Sequence, residues 1–288
     1  MSGFEERYFI ELDDRLLENP PKNLPPDKLS STPERWAADV RAQLAIVATK
    51  PVGHLLLKSI WWNQTWVRIQ PYSPYDSACG ASARWDDTGP MFFFRRYGSL
   101  VSFSPEKFAV TACAAKRTGA AAPELHETLF HELVHAFRQV SHWRRAGITD
   151  LQRIKHDAPL IGGLRKHDNL EEFIAVLVTN IYRSANGKRV LRASHHGFGA
   201  MDDDLAGSFA FYQAGAQVFP LIDEFCTNNK GFTRMLAKVD APFNPIRAYY
   251  RDPDRARRLS KSRQAGMRDW VGDNPMGVLQ PLMPWVRP

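Results

Sequence analysis

The pentad His131-Glu132-Leu133-Val134-His135 constrains this chain more than any other feature. Around it Leu125, Leu129, Leu133, Phe137 and Val140 recur at helical spacing, which predicts a helix with one buried stripe starting near Pro123-Glu124. An α-helix turns once in about 3.6 residues, so positions four apart share a side. His131 and His135 then project together from the edge of the stripe, with Glu132 one residue past the first. Two imidazoles presented in this way can share one Zn²⁺, and Glu132 is close enough to act as general base on water beside it. A fold carrying this helix must bury one side of it and open the histidine edge to a cleft. The chemistry implied is metal-assisted hydrolysis, most often of a peptide bond.

A hydrolytic zinc site takes three protein ligands and keeps one position for water. The third ligand must therefore come from another segment. The next strongly apolar helix is expected from about residue 169 to 183, with Leu170, Phe173, Ile174, Leu177 and Ile181 on its core face and Glu171 and Glu172 in its first turn. Asp168 reads as its N-cap, which puts Glu171 at the position that reaches back in a capping box. Glu172 is then available for the ion, and the small Ala175 one turn on leaves room for a neighbouring helix. Glu172 is the expected ligand and Glu171 the fallback. The other histidines are weaker. His126 is expected to face solvent one turn above His131, and His195-His196 precede Gly197 in an expected loop. His54, His142, His156 and His167 carry no supporting pattern.

The rest of the 288 residues divide by composition. Residues 1–33 are polar and rich in Pro (Pro20, Pro21, Pro25, Pro26, Pro33) and read as a flexible N-terminal arm. Thr32-Pro33-Glu34 is a helix start, and Trp36, Val40, Leu44 and Val47 follow at helical spacing. A short helix is expected after Pro51-Val52-Gly53. Strands are expected at Trp66–Ile69, Met91–Phe94 and Leu100–Phe103, with a long loop over 73–89. Further helices are expected at 205–218, 220–229 and 231–239. Residues 34–250 form the domain, and 251–288 a basic tail rich in Pro and Arg. The fold class is α+β, mainly helical with a small mixed sheet beside the metal-binding helix.

The net charge of +7 concentrates late in the chain: residues 251–270 hold seven Arg and Lys against three Asp, a surplus of four. That segment is either a solvated face or a docking surface for an acidic partner. No run of 18 apolar residues suggests a membrane span. Met1–Glu11 is too charged for a cleaved secretory signal, so a cytoplasmic location, or export by another route, is expected. Cys79, Cys113 and Cys226 are far apart and form no zinc-ribbon or disulfide pattern.

A helix with H-E-x-x-H followed by E-E-apolar on a later helix resembles the zincin metallopeptidases whose third ligand is Glu. The resemblance is to the clostridial neurotoxin light chains and to the NleD-like effector proteases of bacterial pathogens. In the light chains the ligand is the second Glu of an E-E-L stretch, matched here by Glu172 before Phe173, 37 residues past His135. Anthrax lethal factor is similar, with a Glu-Phe-x-Ala ligand helix that Glu172-Phe173-Ile174-Ala175 matches. An R-x-x-Y pair that steadies the transition-state oxyanion in the light chains is matched by Arg247 and Tyr250. The NleD-like layout extends upstream through Gly53, Leu56 and Ile60, Val67-Arg68-Ile69, and Ser99 to Pro105, so the resemblance spans roughly residues 50–250.

The resemblance implies a zincin-like fold, a Zn²⁺ cofactor on His131, His135 and Glu172, Glu132 as general base, and a protein or peptide substrate of an effector or toxin. In zincins a sheet edge beside the metal helix pairs with extended substrate, which points to Leu100–Phe103. Two alternatives remain open: a nucleic-acid-associated zinc protease guided by the basic tail, and a non-catalytic zinc-stabilised binding module.

Overall fold

A computed structural model of the chain describes residues 7–18, 32–71, 81–84, 97–106, 119–146, 170–195 and 198–262. It is mostly helical, with one small mixed sheet, an α+β arrangement. The strands are β1 (Ile10–Leu12), β2 (Trp66–Gln70), β3 (Ser82–Arg84) and β4 (Tyr97–Ser102), in the order β1-β2-β4-β3. β1, β2 and β4 run parallel, with Ile10 opposite Val67 and Val67 opposite Ser99. β3 lies antiparallel to β4, Ala83 opposite Val101.

Three of these strands depart from expectation. The arm expected over residues 1–33 is not loose throughout: Ile10–Leu12 adds a parallel strand to the sheet and Ile10 is fully buried. Residues 19–31 lie outside the described residues. Ser82–Arg84 forms a strand inside the stretch expected to be loop. β4 begins at Tyr97 and ends at Ser102, whereas Met91–Phe94 lies outside the described residues.

Helices α1 (Arg15–Glu18), α2 (Pro33–Thr49) and α3 (Pro51–Trp62) link β1 to β2. The Thr32 side chain accepts a hydrogen bond from the Arg35 amide and Pro33 opens α2, as the sequence predicts. Trp36, Val40, Leu44 and Val47 are all fully buried, and the Trp36 indole donates to the Phe103 carbonyl at 3.0 Å. α2 and α3 meet end to end so closely that a Cβ on Gly53 would lie 2.0 Å from the Val47 carbonyl oxygen. Only glycine fits there.

α4 (Leu125–Ala146) crosses β2, β3 and β4 and packs on α2 and α3. Its stripe is buried as expected through Leu129, Leu133, Phe137 and Val140. Each such side chain contributes about 1.5–3 kcal/mol by leaving water. α5 (Leu170–Ala185) is buried along nearly its whole length and lies against α4.

Beyond α5 come two 3-10 turns, Asp203–Leu205 and Ala210–Ala214, then α6 (Val218–Asn228), α7 (Lys230–Leu236) and α8 (Pro245–Arg251). The continuous helix expected over 205–218 is therefore absent. Residues 253–262 form a further helix, α9, where the tail was expected to begin. It docks through buried Ala256 and through Ser260, whose hydroxyl donates to the Gly215 carbonyl and accepts from the Phe219 amide. Arg255 and Arg257 lie over the rings of Phe209 and Phe219. Residues 263–288 lie outside the described residues.

Candidate metal centre

Polar contacts zip α4 to α5 in antiparallel register. As positions climb along α4, their partners fall along α5. Glu127 pairs with Arg183 at 2.5 Å, His131 meets Thr179 and Glu172, His135 meets Glu172, and Arg138 holds Glu171. The Glu127–Arg183 pair is buried and the Arg138–Glu171 pair partly so, with Arg138 itself buried, so each charge depends on its partner. Between them lie the motif histidines.

His131 is gripped at both ring nitrogens. Its Nδ1 lies 3.4 Å from Thr179 Oγ1, and its Nε2 lies 3.2 Å from Glu172 Oε2. Thr179 and Glu172 are seven residues apart, two turns of α5, so one side of that helix supplies both contacts. A hydrogen bond at Nδ1 orients the ring and leaves Nε2 as the ligating atom. His135 Nε2 lies 3.3 Å from the same Glu172 oxygen. His131, Glu132 and His135 are all buried.

Glu172 is the carboxylate that joins the histidines, and Glu171 is not. The reason differs from the one the sequence suggested. Glu171 takes a bidentate ion pair from Arg138, with Nε and Nη2 donating at 2.7 and 2.6 Å. Asp168, the expected cap, lies outside the described residues. Arg138 is three residues past His135, and its role needs α5 in place before it can be seen.

A third imidazole completes the cluster. His195 Nε2 lies 3.3 Å from Glu172 Oε2, and its ring stacks parallel to that of His131 at 6.1 Å between centroids. His131, Glu172 and His195 offer ligand atoms that all lie within 4.8 Å of one another, a group that could hold a metal ion. His135 adjoins it through Glu172. Bonds from zinc to nitrogen or oxygen are about 2.0–2.1 Å, which sets neighbouring corners of a tetrahedron about 3.3 Å apart. All three Nε2 atoms stand at that separation from one carboxylate oxygen. The donor set, imidazoles with a carboxylate, suits zinc and its neighbours in the first transition row.

His195 reaches the site on a short hairpin. Arg192 and Ala200 form a bridge, the Ala193 amide donates to Gly199, and the Met201 amide donates to Leu191. α5 fixes its base: the Asn180 amide group donates to the Arg192 carbonyl, and the Arg192 N–H donates back to Asn180. Arg192 Nη2 donates to the His195 carbonyl. The far strand is held by the Ala121 amide, which donates to the Phe198 carbonyl. Gly119 lies so close that a Cβ would be 2.5 Å from that carbonyl oxygen.

One carboxylate serving several imidazoles splits their proton affinities. Burial pushes His131 down to about 3, and its bond to Glu172 only partly offsets this. Burial opposes charge on His135 too, but attraction to Glu172, helped by Glu132 and Glu171, lifts it to about 9. Burial raises Glu172, yet His135 and His131 outweigh it and hold the carboxyl well below the usual carboxylate range. In the metal-free protein His135 therefore keeps a proton near neutral pH and His131 does not.

No protein-family model matches the chain, and no curated protein or solved structure matches it.

The remaining expected residues lie elsewhere. Arg247 donates through Nε to the Ala237 carbonyl and through Nη2 to the Val239 carbonyl, and faces Asp240. The Tyr250 hydroxyl lies 2.9 Å from Thr233 Oγ1. Both thus brace α8 against α7 and the turn after it, and neither contacts the histidine cluster. His126 is buried rather than solvent-facing, with Nδ1 2.9 Å from the Tyr182 hydroxyl and Nε2 3.0 Å from Glu124. His195 is the residue that sequence reasoning undervalued. It lies 60 residues past His135 with no spacing rule to link them, and its only signal was its chemistry.

Proposed function

We propose that the chain is a zinc-dependent metalloendopeptidase of zincin-like design, acting on a protein or peptide as an effector or toxin would. The observation that carries this reading is Glu172 Oε2 within 3.3 Å of the Nε2 atoms of both motif histidines, with Glu132 buried beside them on the same helix. His131, His135 and Glu172 would hold the ion. When bound, Zn²⁺ supplies a Lewis acid that polarises the scissile carbonyl and acidifies water.

Glu132 takes the proton from the attacking water and passes it to the leaving amine. Thr179 keeps the His131 ring in its ligating orientation. The Arg138–Glu171 pair fixes the start of α5 and keeps Glu171 out of the cluster, so that Glu172 alone enters it.

Backbone pairing with substrate belongs to β3 in this reading, not to Leu100–Phe103. β4 has β2 on one side and β3 on the other, whereas β3 borders the sheet among the described residues. The metal helix positions that border: Gln139, one turn past His135, donates to the Ala83 carbonyl and accepts from the Ser99 hydroxyl at 2.6 Å. An extended peptide added to β3 would run beside the histidine edge of α4.

The test is exposure of a proteome to the zinc-loaded full chain, with and without chelator, and with Glu132→Gln in parallel. Cleavage products that need both metal and Glu132 support the proposal. Zinc uptake without Glu132-dependent products would reduce it to a metal-stabilised binding module.

A further inference from the structure

The ligand geometry offers one more donor than a hydrolytic site uses. Catalytic zinc sites keep a coordination position for water, whereas sites closed by four protein ligands are inert. Here the Nε2 atoms of three imidazoles, His131, His135 and His195, each lie within 3.3 Å of Glu172 Oε2. His195 Nε2 stands as far from Glu172 Oε2 as His135 Nε2 does, 3.3 Å in each case. With His131 and Glu172, and without His135, it also forms the group of three ligand atoms that lie within 4.8 Å of one another.

We propose that His195 is a fourth protein ligand that closes the ion's coordination in the resting protein and swings out to admit water and substrate. This rests on the metal-site reading above and adds its regulation. Two observations single out His195 as the ligand that moves. It follows the segment 191–193 that pairs with 199–201, outside any helix, whereas the other three are carried by packed helices. Its side chain is 30 % exposed, against 6 % for His131, 9 % for His135 and 19 % for Glu172, so it is the donor most open to solvent. With an ion bound, withdrawal of the imidazole would free the position held by His195 Nε2 for water.

The test uses Co²⁺ in place of zinc in the full-length protein, read by visible absorption while azide is titrated in. Wild-type protein should show an intense four-coordinate spectrum that azide perturbs weakly. His195→Ala should bind azide at least about tenfold more tightly and hold zinc about 10- to 100-fold less tightly, no less than the loss of an outer-shell partner costs. His195 is partly exposed on a loop, so the variant keeps the fold, which circular dichroism checks. Equal azide binding by wild type and variant, or unchanged zinc affinity, overturns the proposal while leaving the metal site of His131, His135 and Glu172 standing. Failure of the wild-type chain to take up Co²⁺ or Zn²⁺ at all removes both.

Discussion

The two sides of the histidine cluster are built by different physics. On one side α4 and α5 lie in antiparallel contact, buried, with ion pairs at Glu127–Arg183 and Arg138–Glu171 closing both ends of the seam. His131, His135 and Glu172 are carried on these two packed helices. On the other side a hairpin anchored by Asn180 and by the Ala121 amide presents His195, partly open to water. In the proposed site the helix pair would supply precision, and the hairpin a ligand that can leave. A site that must hold an ion and also admit a reactant needs both.

Substitutions can break this contrast at graded cost. On the helix side His131→Ala should abolish zinc binding and cleavage together, measured by metal content and peptide turnover. Glu132→Gln should keep the ion but lower turnover about 100- to 10,000-fold, the span of general base catalysis. Arg138→Met leaves the partly buried Glu171 carboxylate without its partner. It should cost about 1–3 kcal/mol of stability in denaturant unfolding, less than breaking a fully buried pair does. A surface-like loss below about 1 kcal/mol would mean that the seam is not held as described.

Protons sharpen the comparison further. In the metal-free protein His135 holds its proton more tightly than the ordinary value of 6.5, up to about 9. That stabilisation is complete below about pH 6.5 and is lost as pH rises through about 9. His131 runs the other way, its value falling to about 3, so acid destabilises the fold between about pH 6.5 and 3. Metal must displace the proton on His135. Zinc uptake near pH 7.5 should then release about one proton, falling toward none above about pH 9. Calorimetric titration in buffers of different ionisation enthalpy reads that number directly.

The smallest effect is expected far from the cluster. Tyr250→Phe removes a contact with Thr233 and should cost about 1 kcal/mol of stability with turnover unchanged. A large fall in turnover would return Tyr250 to the oxyanion role that its spacing from Arg247 first suggested.

What was legible in the sequence follows from how local each cause is. α2 was readable because Thr32, Pro33 and the buried stripe from Trp36 to Val47 are neighbours in the chain. His131 and His135 were readable for the same reason: four residues on a helix fix their relation. Position pointed to Glu172 rather than Glu171, and Glu172 is the one beside the histidines, but the cause lies across the seam in Arg138, which no local pattern shows. β1 and β3 are three residues each, too short for periodicity, and exist only because β2 and β4 offer them partners. The helix expected over 205–218 fails where Ala206-Gly207-Ser208 and Gly215 interrupt it with turns. His195 meets the cluster only through the hairpin that Asn180 anchors, a tertiary relation with no trace in spacing.

The central claim is that one ion is gripped between α4 and α5 by Glu172 and not by its neighbour. Elemental analysis of the purified wild type, Glu172→Ala and Glu171→Gln tests it most directly. One zinc per chain in the wild type and in Glu171→Gln, with none in Glu172→Ala, is the predicted result. Zinc retained by Glu172→Ala, or lost only from Glu171→Gln, would contradict it.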